Sequence, residues 1–350
     1  MKKRILVTLL TMAMVATLFA GCGNSASETK EETKAETKTE ETSEVSKMEG
    51  PATEKTQDDA PAVGKKYGVV LKTLSSEFWQ TMQKGIEEKA KELGVEVEVL
   101  GANSEDDVEG QVNVFETMIQ SGEYIAFAVA PLSDANLINT IAEANQAGYL
   151  VADIDERVNP ESLEAQGGSV ISFVTTDNEI VGNTAGNYIA SLLQSGDEVA
   201  IIEGKSGVTS GEARIDGVKA AFEKAGLTIV DSQPADWDKT KAYDLATNLI
   251  NKNENLKAIY CCNDTMAMGA EEAVINSGKD IIVVGTDGNS DAIASVKEGK
   301  LTATVAQDPG QVGARSLELL VQAYNNGEKP GDKEMIDERI DPILVTETEN

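Results

Sequence analysis

Beyond Lys65 the apolar residues fall into two rhythms, and these alternate along the chain. Short apolar runs rich in Val, Ile and Ala read as strands over Lys66–Lys72, Val95–Gly101, Tyr124–Ala130, Tyr149–Ile154, Glu198–Glu203, Leu227–Ser232, Lys257–Cys261, Ile281–Gly285 and Thr302–Ala306. Between them, apolar residues recur at the three- and four-residue spacing of a helix with one buried stripe. Glu77–Leu93 carries Phe78, Met82, Ile86 and Leu93 on such a stripe, and Val108–Ile119 and Asn136–Ala147 keep the same period. Gly94, Gly148, Gly226 and Gly278 stand just past helix ends, where a left-handed residue stops the helix.

Strand and helix in alternation predict the α/β class, with parallel sheets covered on both faces by helices. So many units exceed one sheet, so two doubly wound parallel-sheet domains are expected. Ligands of such sheets bind outside the carboxyl ends of the strands. The residues that follow the candidate strands are Lys72, Asp155-Glu156, Asn263, Asp287 and Gln307.

The first 63 residues follow neither rhythm. Met1-Lys2-Lys3-Arg4 is basic and Ile5 to Ala20 is nearly uncharged and apolar, somewhat short for a membrane span. The run ends in Leu18-Phe19-Ala20-Gly21-Cys22, small residues just before a cysteine, as in the lipobox of bacterial lipoproteins. Residues 1–21 are thus expected to be a signal peptide and Cys22 the acylated mature N-terminus; an ordinary cleaved signal with an incidental Cys is the alternative. Phe19 stands where an aliphatic residue is usual. Residues 22–63 are Glu, Lys, Thr and Ser with almost nothing to bury. Such a segment cannot offset its ordering entropy and is expected to be a solvated tether holding the folded part at the outer face of the plasma membrane.

Charge and composition then narrow the function. Sixty Asp plus Glu against 30 Lys plus Arg give a net charge of -30, which repels a phosphate backbone and argues against nucleic-acid partners. The chain has no His, which removes Ser-His-Asp triads and nearly all zinc sites. Cys261 and Cys262 are adjacent and read as small buried residues at a strand end, with no structural disulfide. Aromatics are only 4%, so each one near a strand end bears on the ligand.

A sugar ring asks for apolar plates against its C–H faces and forked polar groups around its hydroxyl rim. Phe78, Trp79 and Trp237 supply plates; Asp155, Arg214, Asn263, Asp287 and Gln307 supply forks. Trp79 lies on a helical stripe and could be core, whereas Trp237 sits among Asp236, Asp238 and Lys239, an unusual setting for a core Trp.

The segments YGVVLKTLSSEFW, FVTTDN, VAIIEGKSG, SGEAR, SQPADWD, AIYCCNDTMAMGA, VVGTDG and ATVAQDP, in this order, resemble the periplasmic sugar-binding proteins of the ribose and allose group. The resemblance covers about residues 66 to 345. It implies the type I periplasmic binding protein fold: one lobe from 64–176 plus 308–340, the other from 177–307 plus 341–350, joined by three hinge crossings and closing over a monosaccharide. It also implies that Lys72, Ser76, Phe78, Trp79, Asp155 and Glu156 line the first half of the site. Arg214, Trp237, Asn263, Asp287 and Gln307 then line the second half and the hinge. Ser76-Glu77 departs from the Asn-Pro pair usual in the family, and the shorter Ser76 leaves the exact sugar open. A monomeric binding protein of a sugar ABC transporter is implied, with the membrane permease as partner and no cofactor. Presentation of the sugar-bound form to a chemoreceptor or sensor kinase is the rival role.

Two other chemistries have partial matches in the sequence. Asp287, Asn289, Asp291 and Glu298 fit ligand positions of a calcium loop, but Ala292 occupies the position that needs Gly and the segment reads as helix. No metal is expected. Asp155, Glu156 and Asp287 could serve a glycosidase as acid and base. Against that, neighbouring Lys and Arg should hold them ionised, without the raised pKa that an acid needs.

Overall fold

The computed structural model describes residues 66–347, so Cys22, the signal and the tether lie outside the described residues. The first sheet holds β1 (Lys66–Thr73), β2 (Glu96–Ala102), β3 (Tyr124–Val129), β4 (Leu150–Ile154) and β5 (Ser172–Thr176), joined at its edge by β11 (Ile336–Ile340). The second holds β6 (Glu198–Glu203), β7 (Thr228–Pro234), β8 (Leu256–Cys261), β9 (Ile282–Asp287), β10 (Ala303–Ala306) and β12 (Ile343–Thr346). Their orders are β11-β5-β4-β3-β1-β2 and β12-β10-β9-β8-β6-β7, the same arrangement twice. All pairings are parallel except β10 with β12. The chain passes between the sheets three times: after β5, after β10 and between β11 and β12.

Helices α1 (Glu77–Leu93), α2 (Val108–Ser121), α3 (Ile138–Gln146), α4 (Pro160–Ala165) and α10 (Pro309–Asn325) cover the first sheet. Helices α5 (Asn178–Leu192), α6 (Thr209–Ala225), α7 (Lys239–Lys252), α8 (Asp264–Ser277) and α9 (Ser290–Lys297) cover the second. The core of the first lobe is split by its sheet: Met82, Ile86 and Leu320 pack on one face, Phe115, Phe127 and Ile141 on the other. The apolar stripe of α1 buries Trp79, Met82 and Ile86, which is what its period dictates. In the second lobe α5 and α6 cross at glycines. A Cβ on Gly182 would meet the Arg214 carbonyl oxygen at 2.0 Å, and one on Gly217 the Glu179 carbonyl oxygen at 2.2 Å.

Nine strands and the α1 boundaries follow the hydrophobic pattern closely, and Gly94, Gly226 and Gly278 end their helices in the left-handed region. Three strands escaped the pattern. β11 and β12 are half-exposed edge strands whose residues, such as Asp337, Glu338 and Arg339, alternate with water rather than with a core. β5 is fully buried but short and Thr-rich. Residues 290–297, the centre of the calcium-like spacing, form α9 instead of an ion-wrapping loop.

Candidate functional site

In both sheets the chain leaves β1 or β6 in opposite directions, to β2 and β3 or to β7 and β8, and this switch opens a crevice beyond the strands' carboxyl ends. The two crevices face each other across one cavity of about 460 Å³. Lys72, Ser76, Phe78, Trp79 and Asp155 line it from the first lobe, and Arg214, Trp237, Asn263 and Asp287 from the second, with Gln307 at a crossing between them. Ten of the eleven sugar-site residues named from the sequence therefore share one wall system.

Glu156 is the exception and a correction. Its carboxylate is fully buried behind that wall, paired with Lys72 Nζ at 3.3 Å and accepting hydrogen bonds from Thr209 N at 3.0 Å and Ser210 Oγ at 2.9 Å. It faces the start of α6 and not the cavity, because Asp155 just before it takes a left-handed turn at φ 61°.

Trp79 is both core and wall. Its ring packs among the α1 core residues, and its Nε1 donates to Glu105 Oε1 at 2.8 Å. Phe78 meets it edge-on, with centroids 5.0 Å apart and an interplanar angle of 82°. Opposite, the Trp237 indole lies over Gly204, where an added Cβ would come within 2.0 Å of Cη2. Only a glycine lets the ring lie there. Arg214, buried in α6, is fixed by donating from Nε to Asn178 Oδ1 at 2.8 Å and from a terminal nitrogen to the Cys262 carbonyl at 2.7 Å. Its guanidinium stands 3.7 Å from Asp287 Oδ1 and 6.0 Å from the centre of the Trp237 ring. Gln307 donates from Nε2 to Asp287 Oδ1 at 2.7 Å. Asn263 accepts from Met266 N at 2.9 Å and so caps α8 while lining the cavity.

Two buried acceptor atoms of these lining residues, Asp155 Oδ1 and Gln307 Oε1, have no protein partner. Buried polar atoms are almost always hydrogen-bonded, so these two cavity-wall acceptors call for donors from outside the protein, water or ligand.

Burial dominates the electrostatics. It pushes the Asp287 carboxyl up to about 7, against the pull of Arg214 and Gln307, and Asp155 up to about 6, against Lys72. Asp264, one layer behind, is held well above the usual carboxylate range by burial and then by the Asp287 charge. The expectation that Lys72 and Arg214 would keep these carboxyls low is thus wrong: desolvation outweighs the ion pairs. The cations themselves stay charged. Burial is the largest single influence on Lys72 and Arg214 and opposes their charge, but the surrounding groups together outweigh it: Glu156, Glu105 and Asp155 around the first, Asp287, Tyr260, Asp155 and Cys262 around the second. Burial likewise pushes the Cys262 thiol up to about 12, consistent with an inert pair of small residues.

Asp155, Asp236, Trp237 and Asp287 are the non-glycine residues with positive φ among the described residues, and all four line the cavity. Such backbone costs about 1–3 kcal/mol per residue and persists where the surroundings over-determine it, as at a ligand clamp. Sequence reasoning missed Glu105, Asp106, Asp236 and Asn289, which also line the cavity. Each follows β2, β7 or β9, so the strand-end rule that found Asp287 could have found them.

Residues 67–329 match the periplasmic binding protein domain family. The D-allose-binding periplasmic protein of Escherichia coli K12 is 48% identical over 286 residues, covering 80% of this chain and 92% of that protein. The ribose import binding protein of Bacillus subtilis is 36% identical, covering 72% and 79%. Among solved structures, an ABC transporter periplasmic solute-binding protein from Actinobacillus succinogenes with bound D-allose aligns with a TM-score of 0.75 at 32% identity, over 81% of this chain and 98% of that one. These relatives are binding proteins and not enzymes, which speaks against reading the near-neutral carboxyls as an acid–base pair. Two like-ordered parallel sheets facing one polar, aromatic-walled cavity, together with matches across most of the chain, place this protein in the periplasmic binding protein family.

Proposed function

We propose that this chain is the lipid-anchored substrate-binding protein of a sugar ABC importer, taking an allose- or ribose-like monosaccharide in the cavity between its lobes. The observation that carries the reading is the pair of orphaned acceptors, Asp155 Oδ1 and Gln307 Oε1, on a wall that also holds two indoles. Hydroxyl donors satisfy the acceptors, and C–H faces cover the Trp79 and Trp237 rings. The allose and ribose for which these relatives are named are rings of this kind. Lobe one comprises 64–176 plus 308–340 and lobe two 177–307 plus 341–350; their three crossings act as the hinge. Sugar favours the closed arrangement because only there does it touch both walls. Cys22 carries the lipid and residues 22–63 the tether, so a monomer stays near its permease outside the plasma membrane.

A thermal-shift screen over ribose, allose, galactose, xylose, psicose and inositol tests the reading. At least one should raise the unfolding temperature with concentration, by mass action on the folded state. Calorimetric titration should then show Trp237→Ala and Arg214→Ala each weakened tenfold or more, about 1.4 kcal/mol. No response to any sugar, or unchanged affinity in both variants, overturns it. Radiolabelled palmitate in a Cys22→Ala variant tests the anchor separately.

A further inference from the structure

Two helices of the second lobe begin without a side-chain cap of their own. The residue before α6 is Val208, and Asn289 before α9 makes no capping bond. Helix starts leave N–H groups unsatisfied, and a carboxylate is favoured there by both hydrogen bonding and the helix dipole. Both helices are capped from the other lobe. Glu156 accepts from Thr209 N at 3.0 Å and Ser210 N at 3.3 Å at the start of α6. Glu77, the first residue of α1, accepts from Ser290 N at 3.0 Å and Ser290 Oγ at 2.8 Å at the start of α9. A third bridge runs the same way, from Lys205 Nζ to Asp106 Oδ1 at 2.6 Å and the Glu105 carbonyl at 3.0 Å.

We infer that Glu77 and Ser290 form an interlobe clasp that sets ligand affinity without touching the ligand, with Glu156 as its buried counterpart. The inference rests on the proposed function, since it gives closure its purpose. Neither Glu77 nor Ser290 lines the cavity, although Ser76 and Asn289 beside them do. These hydrogen bonds join opposite lobes, so they exist only while the lobes are together. Opening returns the Glu77 carboxylate and the first N–H groups of α9 to water. Each bond gained on closure therefore favours the ligand-holding state, whatever the ring's stereochemistry. Glu156 is a less clean probe, because its partner Lys72 also lines the cavity.

The test titrates the mature full-length chain, Glu77→Ala, Ser290→Ala and the double variant with allose and ribose, and follows release by tryptophan fluorescence. The clasp requires each single change to weaken binding about three- to tenfold, the range of a helix cap. The loss should appear in the release rate, leave the order of sugars unchanged, and not deepen in the double variant. Glu77→Gln, which keeps a neutral acceptor, should fall between. The circular dichroism spectrum of the unliganded protein should stay unchanged, since a fold defect would alter it. Wild-type binding with unchanged affinity and release in Glu77→Ala overturns the clasp. Should the wild type bind none of the sugars, the failure is that of the proposed function. Spin-label distances between the lobes of the unliganded proteins then judge the clasp: shorter in wild type than in Glu77→Ala supports it, equal distances refute it.

Discussion

The proposed site predicts that Asp287 makes sugar binding depend on pH, with a sign opposite to that of the empty protein's stability. Burial raises its carboxyl to about 7, although Arg214 and Gln307 pull it down, and Asp155 and Glu105 add repulsion from across the cavity. A sugar hydroxyl donating to this group favours the ionised form, so binding expels the proton that the empty site holds below neutrality. If the complex titrates near the ordinary carboxylate value, affinity falls by the protonated fraction. Between pH 7.5 and 5.5 a group at 7 then weakens binding by about 25-fold, close to 1.9 kcal/mol. Calorimetry in two buffers of different ionisation enthalpy should record about one proton released per sugar bound at pH 5.5. Asp287→Asn should bind more weakly but lose most of the slope, leaving the smaller part due to Asp155 at about 6. The unliganded protein behaves in reverse. Its folded carboxyls bind protons more tightly than the unfolded chain does, so their contribution to stability grows as pH falls from about 7 toward the unfolded value near 4. A flat affinity profile from pH 5.5 to 8 with no proton release refutes the reasoning.

Gly204→Ala places a methyl group where the Trp237 ring now lies, 2.0 Å from Cη2, so the indole must leave its position. Sugar affinity should drop tenfold or more in titrations while the circular dichroism spectrum is kept, and wild-type affinity would show that the ring's placement is irrelevant. Gln111, fully buried, holds the carbonyls of Leu71 and Ala130 and the amide of Leu132 with its one side chain. Gln111→Leu leaves these groups unpaired and should cost about 2–4 kcal/mol in urea unfolding; less than 1 kcal/mol would mean that water replaces the amide. Gly217→Ala drives a methyl group into the Glu179 carbonyl oxygen of α5 at 2.2 Å and should lower stability by about 1–3 kcal/mol, read as a lower unfolding temperature with sugar specificity unchanged.

The class of the fold was legible because a buried parallel strand and a one-sided helix each impose their own period on the chain. Lys72, Asn263, Asp287 and Gln307 were legible for a related reason: topology places chemistry at strand ends, and the strands could be seen. Trp79 was ambiguous because a helical stripe position serves core and cavity alike, and here it serves both. β11 and β12 were missed because an edge strand is held by backbone pairing and leaves little mark on side-chain choice.

What the sequence by itself determined was therefore the succession of strands and helices and the residues that end them, since these depend on local periodicity and turn chemistry. The tertiary structure alone decided the rest. Glu156 turned from the cavity to a helix start because φ 61° at Asp155 redirects the chain there. Burial, a property of the packed whole, set the protons of Asp155 and Asp287 against the pull of their cationic neighbours. Glu77 met Ser290 across 213 positions of sequence, a distance over which no pattern in the chain announces a partner.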